Sequence, residues 1–316
     1  MSQPAYHTRP NKAVDRLTLI DAIRLVVKPK ELSDYTYYSM GGPTLEDFRL
    51  IYDFYPEIKM VSIEQDPEIY KRQRFHLPCR FHRLKLEHTS LKSFLAQYEA
   101  KDQKSIFWLD YTNLELGHFD DFMGLLGKVG TNSMVKITLS CDPRDYRKSE
   151  QAEAFRRKFE TLLPNPSDPP PSRVDKLALL MQEMVRIASQ KALPSAIPFM
   201  FLPLSSFYYK DGAGMFTLTG LVCRRVEEKQ FKKAFKNWRF ANLNWNEPRQ
   251  IDVPSLTTKE RLLLQHYLPC GGNAGKALRR ALGYLIDDKN REQTENQLQQ
   301  YADFHRYFPH FIKAVP

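Results

Sequence analysis

Between residues 34 and 142 short β-prone runs alternate with helical ones, and nothing else in the chain restricts its fold as strongly. "DYTYYSM", "IKMVSIEQD", "FHRLKLEH", "KSIFWLDYT" and "SMVKITLSCD" carry the aromatic and branched residues that strands favour. Between them "LEDFRLIYDFYP", "PEIYKRQRFHL", "SLKSFLAQYEA" and "FDDFMGLLGKV" read as helices. Thr44 with Asp47 three residues later suggests a capping box, Pro67 suits a first helical position, and Ser90 suits an N-cap. Strands separated by helices return to the same edge of a sheet and pair in parallel, so the expected fold is α/β, doubly wound and mainly parallel.

The flanks complete the expectation. Residues 13 to 27 space Val14, Leu17, Ile20, Ile23, Leu25 and Val27 roughly along one helical face, giving an N-terminal helical segment over 1–30. Two helical stretches around the proline-rich "PNPSDPPPSR" form an insertion over 144–197. "PFMFLPLSSFYY" and "GMFTLTGLVCRRV" follow, joined through Asp211-Gly212, a strong hairpin signal, so the sheet is expected to end in an antiparallel pair. This places the α/β domain over 31–225. Residues 226–316 then change texture to helices, with "NWNEPRQIDVPS" as an irregular connection.

Composition narrows the chemistry. No apolar run reaches the roughly 18 residues of a membrane span, and "MSQPAYHTRPNK" lacks the apolar core of a secretory signal, so the reading is a cytoplasmic protein with no membrane partner. Cys79, Cys141, Cys223 and Cys270 lie far apart without a CxxC pair; buried or idle thiols are expected. The histidine pairs His76 with His82 and His305 with His310 match no metal-ligand spacing, and no metal is expected. The formal charge of +10 is uneven: residues 224 to 316 hold 17 Lys/Arg against 10 Asp/Glu. Lys229, Lys232, Lys233, Lys236 and Arg239 alternate with Phe231, Phe235 and Trp238, and Lys276, Arg279 and Arg280 share a helical face. Such a surface could meet nucleic-acid phosphates through Lys232, Lys233, Lys236, Arg279 and Arg280; the same spacing also suits a helix that docks its aromatics on its own core and leaves its lysines in water.

Three places combine residue type with position at a strand end. "SMGG", Ser39 to Gly42, ends the first strand, where glycines let the backbone approach a ligand and the next helix offers free N–H groups; a plain strand-to-helix turn would use them equally. Glu64 ends the second strand 23 residues after Gly41, the position at which nucleotide-binding α/β folds hold a ribose, with Asp66 as a substitute and a simple loop acid as the alternative. Asp110 follows the apolar Ile106 to Leu109 at the end of the fourth strand, facing a ligand crevice or capping the next turn.

Five α/β units closed by an antiparallel hairpin resemble the seven-stranded, Rossmann-like fold of the class I S-adenosylmethionine-dependent methyltransferases, and the texture over 12–225 is similar to bacterial O-methyltransferases. The resemblance implies that Ser39, Met40, Gly41 and Gly42 hold the methionine and ribose of S-adenosylmethionine, Glu64 its ribose, and Glu87 and His88 its adenine. It also implies that Asp110 and Tyr111 face the transferred methyl, and that Asn11, Lys12 and Arg16 in the N-terminal segment help form the acceptor pocket. The family's acidic residue and spaced third glycine are missing from the "SMGG" turn, and "DYTN" lacks the prolines of amino-methylating enzymes. The acceptor is not legible. The competing expectation is a binding or regulatory protein on the same fold without catalysis, engaging nucleic acid or a partner protein.

Overall fold

The structure, a computed structural model, describes residues 9–77, 83–100, 103–269, 272–286 and 290–308. Its strands form one eight-stranded sheet, one strand more than expected, in the order β3-β2-β1-β4-β5-β7-β6-β8. Strands β1 (Tyr35–Ser39), β2 (Lys59–Glu64), β3 (Leu84–His88), β4 (Lys104–Asp110) and β5 (Ser133–Ser140) pair in parallel. Strands β6 (Phe199–Lys210) and β7 (Gly214–Arg224) form the closing hairpin, and β7 runs antiparallel to β5. The added strand β8 (Arg249–Ile251) falls within the segment expected to be irregular; it is three residues long and follows a proline, so neither alternation nor length marks it.

The chain divides into two compact units, 19–208 with 212–249, and 1–18 with 209–211 and 250–316. In the larger unit two layers cover the sheet. On one face Leu19, Ile20 and Ile23 of α1 (Pro10–Val26) and Phe48 and Ile51 of α2 (Glu46–Phe54) pack against Tyr35, Tyr37, Ile106 and Met134. On the other, α4 (Leu91–Gln97), α5 (Leu116–Leu126), α6 (Ser149–Phe159) and α7 (Val174–Ala192) enclose Tyr38, Phe107, Val135 and Ile137. Strand parity explains the split, because successive side chains point to opposite faces. A β carbon at Gly220 of β7 would stand 2.2 Å from the Phe201 ring of β6, so the bare glycine is the slot in which that ring lies.

Several helix starts follow the sequence. Ser90 caps α4 by accepting from the Ser93 amide, and Pro67 opens α3 (Pro67–His76). Thr44 does not cap α2: Leu45 takes a left-handed conformation there with φ +57°, and no side chain caps the helix. Asp47, the intended partner in that box, is buried and accepts a 2.7 Å bond from the Tyr37 hydroxyl. Helix α8 (Glu228–Phe235) is shorter than its basic-aromatic stretch; it stacks Phe231 on Phe235 and buries Phe235 in the larger unit's core.

The smaller unit contains α9 (Thr258–Gln265), α10 (Ala274–Leu282) and α11 (Arg291–Phe304). Gly275 lies so close to α11 that an added β carbon would meet the Glu295 carbonyl, and Arg279 pairs with Glu295 at 2.9 Å. Leu278, Leu298, Tyr301 and Phe304 are buried there.

Candidate functional site

The strand order reverses at β1, whose neighbours are β2 on one side and β4 on the other, and open α/β sheets place their ligand crevice at the carboxyl ends of such strands. After the fully buried β1 the chain turns sharply, with φ +67° at Gly41 and +57° at Gly42, values that glycine adopts without strain. Gly41 has a second requirement. A β carbon there would lie 2.7 Å from Phe48, 2.8 Å from Ser62 Oγ and 2.9 Å from Leu45. The turn is therefore held against its own protein on that side: α2 and β2 occupy the space a side chain would need.

Gln73 of α3 reaches the same turn and is completely buried. Its Nε2 donates to the Met40 carbonyl at 3.1 Å and the Gly42 carbonyl at 3.0 Å, while its Oε1 accepts from Ser62 Oγ at 2.9 Å. Within the turn the Gly42 amide donates to the Met40 carbonyl at 2.8 Å. Sequence reasoning missed Gln73 and Ser62, since a glutamine in a helix rich in charged residues reads as solvent-facing.

The two acids follow from register. Ser39 pairs with Ser62 of β2 and with Trp108 of β4. Glu64 and Asp110 each stand two residues further on, hence level with one another and on the face that Ser39 uses. Glu64 is half-buried, and desolvation pushes its carboxyl above the usual range, against the opposing pull of the Asp66 and Gln65 amides. Its Oε1 accepts from the Asp66 amide at 2.8 Å. Asp66 is engaged elsewhere, because its carboxylate accepts from the Glu68 and Ile69 amides and caps α3. Beneath them, burial and the neighbouring Asp47 carboxylate hold the Tyr37 hydroxyl well above its ordinary value.

His88 pairs in register with Glu64, and its ring stacks on Tyr70 at 4.7 Å. Glu87 has the opposite parity and pairs with Lys85. Tyr111 also turns away from Asp110: its hydroxyl donates to Asp121 Oδ2 at 2.9 Å and its ring stacks on His118 at 3.7 Å, both in α5. Burial raises the Tyr111 hydroxyl and lowers His118 to about 4. The structure thus gathers Ser39, Met40, Gly41, Gly42, Glu64, His88 and Asp110 at one sheet edge and directs Glu87 and Tyr111 elsewhere.

In the smaller unit Asn11, Lys12 and Arg16 are all buried. The Asn11 side chain donates to Asp211 Oδ1 at 3.0 Å and to the Lys210 carbonyl at 3.1 Å, and it accepts from the Val253 amide at 2.8 Å. Of the basic residues, Lys232 pairs with Glu228 at 2.9 Å and Arg279 with Glu295, while Lys233, Lys236 and Arg280 are exposed. Cys141 and Cys223 are buried free thiols; Cys79, Cys270, His82 and His310 lie outside the described residues. Among the described residues no cluster of His, Cys, Asp and Glu could hold a metal, and no helix is long and apolar enough to cross a membrane.

The edge suits a ligand that is polar and carries hydroxyl groups. It offers the half-buried Glu64 carboxyl, the uncapped first turn of α2, and the buried Thr44 Oγ1, which has no hydrogen-bond partner among the described residues. Residues 4–316 match the family described as "Putative O-methyltransferase". The chain belongs to this family. No curated protein matches the chain. Among solved structures it is similar to an O-methyltransferase family protein from Burkholderia thailandensis, at 14% identity and TM-score 0.37, over 68% of this chain and 59% of that one. It is also similar to Trm1 from Pyrococcus horikoshii in complex with S-adenosyl-L-methionine, at 10% identity and TM-score 0.44, over 73% and 60%. The chain thus spans about three fifths of the length of either structure. The methyl donor of such O-methyltransferases is S-adenosylmethionine, and the hydroxyl-rich ribose of that donor fits the acidic edge.

Proposed function

We propose that the protein transfers a methyl group from S-adenosylmethionine to an oxygen of an acceptor, with the donor seated at the carboxyl edge of β1, β2 and β4. The observation that carries this reading is the common level of Glu64 and Asp110 around the Gly41-Gly42 turn. The bound donor supplies a methyl group already activated by its sulfonium, so the protein's work is to align the acceptor and exclude water. Glu64 accepts hydrogen bonds from the ribose hydroxyls, and His88 on Tyr70 borders the adenine. The first-turn amides of α2 and the Thr44 hydroxyl meet the methionine end of the donor. Asp110 orients the reacting groups. Tyr111 supports that edge through α5. We place the protein in the cytoplasm, where this donor is made.

Calorimetry with S-adenosylmethionine and S-adenosylhomocysteine tests the reading. Saturable binding by the parent protein and weakened binding by Glu64→Gln are expected. Absence of binding overturns the reading; binding without methyl transfer to any hydroxyl-bearing acceptor favours a binding protein on the same fold.

A further inference from the structure

We infer that Gln73 is a positioning residue for the donor, acting through the backbone of the Met40–Gly42 turn. The inference rests on the reading of that turn as the donor site.

The orientation of the Gln73 amide is forced. Both groups it meets in the turn are carbonyls, which only its NH₂ can satisfy, so its oxygen must face Ser62, whose hydroxyl donates to it. All three contacts are within hydrogen-bond range and the side chain is fully enclosed, so in this low-dielectric setting removing the Gln73 amide takes its donor from both turn carbonyls at once. Its effect on the turn follows from peptide geometry. In a trans peptide the C=O and the next N–H point in opposite directions. By drawing the Met40 carbonyl toward α3, Gln73 aims the Gly41 N–H the other way, and among the described residues that N–H meets no acceptor. Drawing the Gly42 carbonyl to the same side leaves Pro43 with no N–H to place. One side chain from α3 thus sets which edge of the turn presents a donor and which is sealed by protein. Ser62 acts one step further back, since it fixes the amide without touching the turn's carbonyls.

Three substitutions test this. Gln73→Met keeps the volume and removes all three bonds; Ser62→Ala removes one bond and leaves both turn contacts. In the cofactor-free protein, hydrogen exchange over 40–45 should quicken at least tenfold in Gln73→Met while β4 and β5 keep their protection. The dissociation constant for S-adenosylhomocysteine should rise at least tenfold. Ser62→Ala should stay within threefold of the parent in both readouts. Gln73→Glu is the third variant, close in shape but able to donate to the carbonyls only when protonated; the ratio of its affinity to the parent's should fall as pH rises through the titration of Glu at that position. A folded Gln73→Met that binds within threefold of the parent, or Gln73→Glu without that fall in the ratio, overturns the inference. Unchanged exchange over 40–45 overturns it independently of any ligand, and a parent that binds no S-adenosylhomocysteine overturns the reading on which it rests.

Discussion

Glu64 and Asp110 end β2 and β4 at one level of the sheet, with β1 between them. Two inter-strand spacings separate the two backbones by roughly 9 to 10 Å. The upward shift of Glu64 comes first from desolvation, to which the neighbouring Asp66 carboxylate adds, and a ligand that donates hydrogen bonds to the carboxylate will reverse it. Binding then releases a proton. Affinity for S-adenosylmethionine should be lost as pH falls through the raised value of the free protein and should level off above it, and calorimetry across that window reads the slope.

Glu64→Gln should remove this pH dependence and weaken donor binding, because each hydrogen bond to a charged group contributes about 1.5 to 3 kcal/mol and a neutral amide gives less. The cofactor-free protein should not lose stability at pH 7. A raised carboxyl opposes folding once ionised, so the native state sheds a penalty when the charge is removed. Paired melting and binding measurements check both halves; an unchanged affinity takes Glu64 out of the site.

Gly41→Ala and Gly42→Ala should separate backbone strain from packing. Both positions are left-handed, which costs a non-glycine residue about 1 to 2 kcal/mol. Gly41 adds collisions with Phe48, Ser62 and Leu45, so Gly41→Ala should lower the melting temperature clearly beyond what strain alone explains. Equal losses at Gly41 and at an unstrained surface glycine such as Gly124 would contradict the packing account.

Tyr37→Phe should destabilise the protein by about 1 to 3 kcal/mol, because the buried Asp47 carboxylate loses the hydroxyl that donates to it. Asp47→Asn keeps an acceptor for that hydroxyl and should cost less. The double variant should cost less than the sum, and chemical denaturation of the four proteins gives the coupling.

His118 is lowered to about 4 by burial, and its Nδ1 accepts from the Glu115 amide at 3.2 Å, so the folded state holds it neutral. Between about 4 and the ordinary value of 6.5 the unfolded chain binds more protons than the native one. Stability contributed by this group is complete above that window and is lost as pH falls through it. His118→Asn should flatten this limb of the stability profile, and a limb that persists unchanged would assign it to other groups.

The elements up to residue 140 were legible because strand chemistry and helix period alternate cleanly there, and the acids at strand ends could be located by counting alone. What the sequence hides is how side chains are satisfied around turns. Thr44 has the right chemistry for an N-cap, yet Leu45 adopts the left-handed region and the hydroxyl never reaches the first-turn amides. Gln73 sits in "PEIYKRQRFH", where its neighbours are exposed, and the two turn carbonyls together with the Ser62 hydroxyl make its burial favourable. Tyr111 follows a candidate acid directly, but strand parity sends it to the opposite face and α5 supplies its partner. Strand β8 escapes notice because three residues are too few to show a period.

Gly220 and Phe201 are bound by a shared volume, since the ring fills the place where a β carbon would sit. Heredity should treat them as a single character. A lineage that acquires alanine at 220 gains a collision with the aromatic ring, and a lineage that trims Phe201 first opens a cavity beside an unfilled glycine. Neither single step is neutral, whereas the pair exchanged together conserves the space. Across descendants of this chain the two positions should therefore change in concert, large opposite small, and a ring at 201 facing any side chain at 220 should be a combination that does not persist.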